Sequence, residues 1–394
     1  MSDLADPSLE ELAAAAEAAS RFAFDTEFMG EGRYRTLLCL IQLAVPEIEN
    51  PAHPERIELV DPLAQDLDGA PLARVLADPA VQIVVHAGRQ DVALVRRRFE
   101  TEVRNVFDTQ VAAGFAGLGA QCSYDTLLAE ILGVRLAKSA SFTRWDRRPL
   151  SPEQLSYARE DVVHLLELAA KLERRLAALG RLEWAREECR FLERSSDERD
   201  LNTVFARLPR IRGLSAGSQT IARELVEWRE RTASTADRPV QSILSDAALV
   251  ELAKRKPSSS SQLEQIRGVG AGSLHRRARE LLDAVQRGSE RPPEPVNQEP
   301  RPPAPDPDDA PLIALAEALV RARAREAGLA YELLAARADL QAIVAARRVG
   351  AEEADVRTLR GWRRELVGAE LLELLDGRVS LSVRAGKIHV LSDS

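Results

Sequence analysis

Two carboxylates, Asp25 and Glu27, interrupt the otherwise apolar run FAFDTEF at residues 22–28. The aromatic content of that run predicts a strand, and alternation then sets Phe22, Phe24, Thr26 and Phe28 on one face and Ala23, Asp25 and Glu27 on the other. Residues two apart on a strand are separated by roughly 6.6 Å, near enough to share a cation and to repel without one. Two readings follow. The pair is either the solvated polar face of a sheet edge or part of a divalent-metal site built from hard oxygen ligands, which suits magnesium or manganese. Further acids bear on the choice. In VVHAGRQDVALV an apolar strand at 81–85 passes through His86, Ala87 and Gly88 into a helix with Asp91 in its first turn, where a carboxylate also complements the helix dipole. In YAREDVVHLLEL, Tyr157 and Asp161 are four residues apart, so on one helix they share a face. Leu155, Val162, Leu165, Leu166 and Leu168 mark the buried side of that helix and leave Asp161 at its margin.

The elements that must position these groups divide the chain of 394 residues, which exceeds the usual size of one core. Residues 20–85 hold four predicted strands, RFAFDTEF, LLCLIQLAV, RIELVD and VQIVVHA, the first three spaced as an antiparallel meander. Helices dominate afterwards, including YDTLLAEILG and one long helix over residues 151–180 with Ser151 as N-cap, Pro152 at its first position and Gly180 at its end. The fold class expected is α/β with a mixed sheet. A polar run near 194–203 and nine prolines within residues 289–311 mark two boundaries. The resulting units are 1–204, 205–290, a Pro-rich linker at 291–311, and 312–394. Charge is uneven among them. The first unit is strongly acidic, whereas 205–290 carries 15 basic against 10 acidic residues, within a total net charge of −8. Cys39, Cys122 and Cys189 are widely spaced and form no CxxC motif, which indicates neither a disulfide framework nor a zinc site. The apolar runs are too short to span a bilayer and the N-terminus lacks the layout of a signal peptide, so a cytoplasmic location is expected.

Taken in order, DTEF, HAGRQD and YAREDV resemble the three exonuclease motifs of the DEDD superfamily, and the tyrosine four residues before the last aspartate resembles its DEDDy branch. LIQLA, LVDPL, NVFDTQVAA and LAKSASFTRWDRRPLS narrow the resemblance to the ribonuclease D family over residues 20–180. That resemblance implies a ribonuclease H-like exonuclease domain in which Asp25, Glu27, Asp91 and Asp161 hold two magnesium or manganese ions, while Tyr157 orients the attacking water. Lys138, Ser139, Thr143 and Trp145 form a loop suited to phosphate contact and base stacking, with packing as the alternative for Trp145. His86 is either a phosphate or motif-positioning group or a satisfied structural histidine. Asp108 in FDTQ is expected to be structural support.

Residues 218–285 resemble the helical HRDC domain, including the Arg238-Pro239 step and the RGVG turn. No strand precedes GVGAGS, so it fails the context test for a dinucleotide loop. In that family the module contacts nucleic acid, which makes Lys254, Arg255, Lys256, Arg267, Arg276 and Arg277 the expected phosphate contacts, against the alternative of a solvated helix face. Residues 312–376 resemble a second, divergent HRDC-like repeat, and RVSLSVRAGKIHVL reads as a β-hairpin around Ala385-Gly386. The resemblance thus implies two all-α HRDC-type domains after the exonuclease domain. The function expected is a monomeric 3′–5′ exoribonuclease that trims RNA 3′ ends, tRNA precursors above all, and releases nucleoside 5′-monophosphates. A DNA exonuclease and a non-catalytic RNA-binding protein are the alternatives. The intact acid quartet argues against the second, and no polymerase or helicase motif supports the first.

Overall fold

The computed structural model describes residues 9–47, 55–136, 144–269, 277–293, 306–350 and 353–392. Five strands form one sheet in the order β3-β2-β1-β4-β5: β1 (Arg21–Met29), β2 (Leu37–Pro46), β3 (Glu55–Val60), β4 (Gln82–Val85) and β5 (Val106–Asp108). The expected meander is present, with β1 antiparallel to β2 and β2 to β3, while β4 runs parallel to β1 and β5 to β4. Phe22 and Phe24 pack in a cluster with residues of α1 (Leu9–Ala19), α2 (Ala70–Ala77) and α3 (Arg89–Phe99), whereas Ala23 packs in another with Leu165, Leu168 and Leu172. The two faces of β1 therefore have separate cores. Asp25 and Glu27, in phase with Ala23, follow it on its side of the sheet. A register slip between Glu27 and Phe28 skips Cys39 on β2, which marks a local irregularity right beside a candidate ligand.

β5 is absent from the sequence reading because three residues, Val106–Asp108, carry too little periodicity to register. It leads into α4 (Thr109–Phe115), with α5 (Tyr124–Leu127) continuing into one π-helical turn at Leu128–Leu132. The long helix expected over 151–180 is two helices, α6 (Pro152–Glu160) and α7 (Leu165–Ala178), followed by α8 (Leu182–Cys189). Its N-terminus is as expected, with Ser151 as N-cap and Pro152 at the first position, and Gln154 adds the reciprocal bond of a capping box. The break at residues 161–164 puts Asp161 at the C-cap of α6, yet its N–H still donates to the Tyr157 carbonyl at 3.3 Å, so the expected one-turn relation survives.

The basic middle unit packs α9 (Leu201–Ala206), α10 (Ala216–Ala236), α11 (Val240–Ile243), α12 (Asp246–Arg255), α13 (Ser260–Glu264) and α14 (Ala278–Glu290) around Ile221, Leu225, Trp228, Leu249, Leu252 and Leu281. Phe205 of α9 belongs to this cluster, so helical packing of the unit begins ahead of residue 205. Gly288 allows α14 to approach α10 closely, since a Cβ there would lie 2.6 Å from Ile221 Cα. The C-terminal helices α15 (Asp309–Ala327), α16 (Tyr331–Leu334), α17 (Arg337–Arg348) and α18 (Ala369–Leu375) do not stand apart. Ile313, Leu319, Leu340 and Trp362 share one continuous core with Phe115, Leu165, Leu176 and Ala185 of the first unit. Trp362 sits edge-on to Phe115 at 4.9 Å and stacks on Trp184 at 5.4 Å, while Arg363 pairs with Glu188 at 2.7 Å. The expected hairpin is present as β6 (Val379–Arg384) and β7 (Lys387–Ser392), turning through Ala385 and Gly386, both at positive φ.

Candidate active site

Asp91 reaches the site because the loop before it is tightly fixed. Buried Asp108 accepts from the N–H groups of Ala87 at 3.1 Å and Gly88 at 2.9 Å, and caps α4 through Gln110 and Val111 at 2.8 and 3.2 Å. Its expected supporting role is thus met by four backbone bonds. Gly88 is required there, since a Cβ would fall 2.5 Å from a methyl of Val85. Thr26, on the strand face opposite Asp25 and Glu27, donates its hydroxyl to Asp91 Oδ1. This positioning interaction is missing from the sequence reading, where Thr26 is only a core-facing residue.

Asp25 and Glu27 both feel the charges of Asp91 and Asp161. Asp25 has its pKa raised well above the usual carboxylate range, by burial first and then by the charges of Asp91 and Asp161. Burial, with the same two neighbours, pushes Glu27 up to about 8. Burial also raises Asp161 to about 7, with Glu160 and Asp125 adding to it, and raises Asp91 to about 6 against the opposing hydrogen bond from Thr26. The Tyr157 phenol is raised by burial and then by Asp161, Glu27 and Asp25, so it stays protonated at neutral pH and stands beside the same carboxylates.

Among the described residues, no three His, Cys, Asp or Glu side chains converge into a preassembled ligand cluster. The carboxylates are nonetheless close enough to oppose one another's ionisation. Buried like charges of this kind call for countercharge, and the donor set, oxygen throughout, fits magnesium or manganese rather than zinc.

The neighbouring residues fare differently. His86 is half-buried, its Nδ1 within 2.9 Å of Thr109 Oγ1 and its ring 5.5 Å from Tyr124; burial lowers its pKa. It stands at the margin of the site, held through Nδ1. Trp145, expected as a candidate base-stacking residue, is only 2% exposed and packs with Cys39, Leu40, Leu59, Leu150 and Ala158, its ring 6.1 Å from Tyr157. No face is open for a base, and the ring packs in the core that also holds Tyr157. Arg148 fixes the same segment by gripping Asp61 with two bonds of 2.6 Å and Cys39 O with one of 2.7 Å. Lys138, Ser139, Thr143 and Arg276 lie outside the described residues. Lys254, Arg255 and Lys256 are exposed at the end of α12, with Arg255 paired to Glu251; Arg267 is exposed on the turn after α13, and Arg277 immediately precedes α14.

Comparison with known proteins adds the following. Residues 5–177 match a family model described as 3′-5′ exonuclease, and residues 218–285 match one described as HRDC domain. The chain is 36% identical over 372 residues to ribonuclease D of Granulibacter bethesdensis, covering 93% of this chain and 90% of that one. Ribonuclease D of Gluconacetobacter diazotrophicus is also 36% identical, with the same two coverages. The crystal structure of Escherichia coli RNase D, described as an exoribonuclease involved in structured RNA processing, superposes with a TM-score of 0.78 at 27% identity, covering 96% of this chain and 98% of that one.

Proposed function

This chain belongs to the ribonuclease D family and is a 3′–5′ exoribonuclease, and from that premise we propose that it trims the 3′ ends of tRNA precursors and other structured RNAs by two-metal hydrolysis. The observation that carries the catalytic assignment is geometric: Asp25 and Glu27 follow one another on one side of β1, Thr26 between them bonds Asp91, and the charges of Asp91 and Asp161 bear on both. Asp25, Glu27, Asp91 and Asp161 would hold the two ions, magnesium or manganese. The chemistry such a pair supplies is stabilisation of charge on the entering and leaving oxygens of an in-line displacement at phosphorus.

The chain's own groups do the rest. Thr26 holds Asp91 in one orientation through its hydroxyl. Tyr157, kept protonated, hydrogen-bonds and orients the attacking water, with Trp145 packed beside the ring that carries its hydroxyl. Exposed Lys254, Lys256 and Arg267 of the middle unit supply phosphate contacts beyond the site. We further propose a middle unit that begins with α9 rather than at residue 205, a linker at 291–311, a C-terminal part at 312–394 packed on the first unit, a cytoplasmic location and a monomeric state. No described helix is long and apolar enough to cross a membrane. The test is a time course on 5′-labelled tRNA precursor, mature tRNA, single-stranded RNA and single-stranded DNA with magnesium, manganese or EDTA. Stepwise shortening of the precursor from its 3′ end, abolished by EDTA, is expected. Preferential digestion of DNA would favour the DNA exonuclease instead.

A further inference from the structure

The turn at residues 30–36 joins β1, which carries Asp25 and Glu27, to β2, and Arg33 and Tyr34 within it reach the middle unit. Arg33 Nη1 donates to Asp237 Oδ2 at 2.6 Å, and the Tyr34 backbone N–H donates to Asp237 Oδ1 at 3.2 Å. The Tyr34 hydroxyl donates to Glu230 Oε2 at 3.0 Å, and its ring packs against the cluster of the middle unit. Glu230 is buried on α10 and is gripped at the same time by Arg199 at 2.8 and 3.2 Å. A second set of ties runs from α3, the helix of Asp91, to the connector. Arg97 pairs with Asp197 and also donates to Thr36 O, and Arg96 Nη1 donates to Ser195 O at 2.6 Å. Two of the three elements that present acids, β1 and α3, are thus braced by the middle unit or by the chain leading into it.

From these contacts we propose that Arg33 and Tyr34 are positioning residues, through which the middle unit sets the placement of the end of β1 and so of Glu27 for catalysis. The inference rests on the exoribonuclease reading above and adds to it a role for the middle unit other than holding RNA. Two features favour positioning over a mere interface. The register slip falls immediately after Glu27, so the regular ladder is broken between the ligand and the turn. Within the turn, only Arg33 N–H to Gly30 O at 3.4 Å closes a backbone hydrogen bond among the described residues. The exposed Arg33–Asp237 pair contributes little alone, since solvent screens it. A phenol donating to a buried carboxylate is the firmer anchor. Small displacements of a catalytic group have large kinetic costs, so loosening this anchor acts on turnover.

The experiment uses the full-length chain and a short single-stranded RNA. Tyr34→Phe combined with Arg33→Ala is expected to lower kcat by about tenfold while KM stays within about twofold, and to raise the half-saturating manganese concentration. Arg33→Asp, which sets a second carboxylate against Asp237, is expected to lose turnover that Asp237→Arg restores in part in the same chain, since an arginine there removes the repulsion without accepting the Tyr34 N–H. Amide exchange across residues 25–40 is expected to accelerate in the Tyr34→Phe/Arg33→Ala protein while the thermal midpoint holds. Unchanged exchange there, a raised KM at constant kcat, a loss of turnover that follows a lowered thermal midpoint, or a charge swap that restores nothing would each overturn the proposal. The exchange measurement needs no RNA, which separates failure of this inference from failure of the exoribonuclease reading.

Discussion

At the scale of single residues, Glu27 with a pKa near 8 and Asp161 near 7 are carboxylates held in a place that disfavours their charge. In the unfolded chain they ionise near 4, so between about pH 4 and 8 the folded protein without metal holds more protons than the unfolded one. Stability of the metal-free protein therefore declines as pH rises through that window, and below it both states are protonated and the effect vanishes. In EDTA the thermal midpoint is expected to fall between pH 5 and 8, less steeply in Glu27→Gln, and added magnesium or manganese should remove most of the slope. A midpoint that rises with pH in EDTA, with no difference in Glu27→Gln, would contradict the assignment. Replacing Asp25, Glu27, Asp91 or Asp161 by Ala should each nearly abolish hydrolysis while far-ultraviolet circular dichroism stays unchanged, and Tyr157→Phe should lower turnover without altering the metal requirement. The acids are legible in the sequence because strand alternation and helical spacing are local rules. Thr26 is not, because its partner Asp91 lies 65 residues away. Trp145 misleads, since its position beside basic and hydroxyl residues resembles a stacking loop and composition does not report burial.

At the scale of elements, Asp108 shows how a site is assembled from parts that do no chemistry. It joins β5 to α4 and fixes the loop that starts α3, using one buried carboxylate for four N–H groups. Asp108→Ala leaves those donors unsatisfied, with an expected destabilisation of about 2 to 4 kcal/mol by analogy with removed caps and buried partners. Because it also frees the turn ahead of Asp91, activity should fall further than unfolding at the assay temperature explains, which denaturant melts beside rate measurements would check. The meander is readable from strand spacing, the N-cap at Ser151 from cap chemistry and the C-terminal hairpin from its alternation about Ala385-Gly386. The division between α6 and α7 is not. Apolar periodicity runs straight through Val162 and Leu165, and the break at 161–164 shows only in the backbone, where Leu165 N–H bonds the Val162 carbonyl in a tighter turn.

At the scale of the whole molecule, the linear order of three units conceals a folded-back arrangement. Trp362, from the C-terminal part, fills the core beside Phe115 and Trp184 and is 2% exposed. Trp362→Ala is expected to cost about 3 to 5 kcal/mol and to destabilise the exonuclease part along with the C-terminal helices, visible as one shifted melting transition rather than two. A protein cut after Arg199, which the order of units along the chain suggests would retain cleavage of short strands, instead uncovers this shared core and removes the partners of Tyr34, so loss of folding or turnover is expected. Point variants are the better probe of the basic middle unit. Replacing Lys254, Arg255 and Lys256 by Ala should weaken tRNA binding and flatten its log–log salt dependence by about 0.7 to 0.9 for every phosphate left without its cation. Arg255 should contribute least, since Glu251 already pairs with it. Covalent order and composition announce separate units, but no local pattern announces that a tryptophan near the C-terminus completes the core of the first one.

The most direct test of the central assignment is the number of divalent ions bound, measured by manganese titration of the full-length protein at pH 8 in the presence of a nucleoside 5′-monophosphate. Two ions per wild-type chain are expected, and fewer than two in Glu27→Gln or Asp161→Asn, with hydrolysis lost in step. Two ions retained when both residues are neutralised would show that these carboxylates do not hold the metal pair.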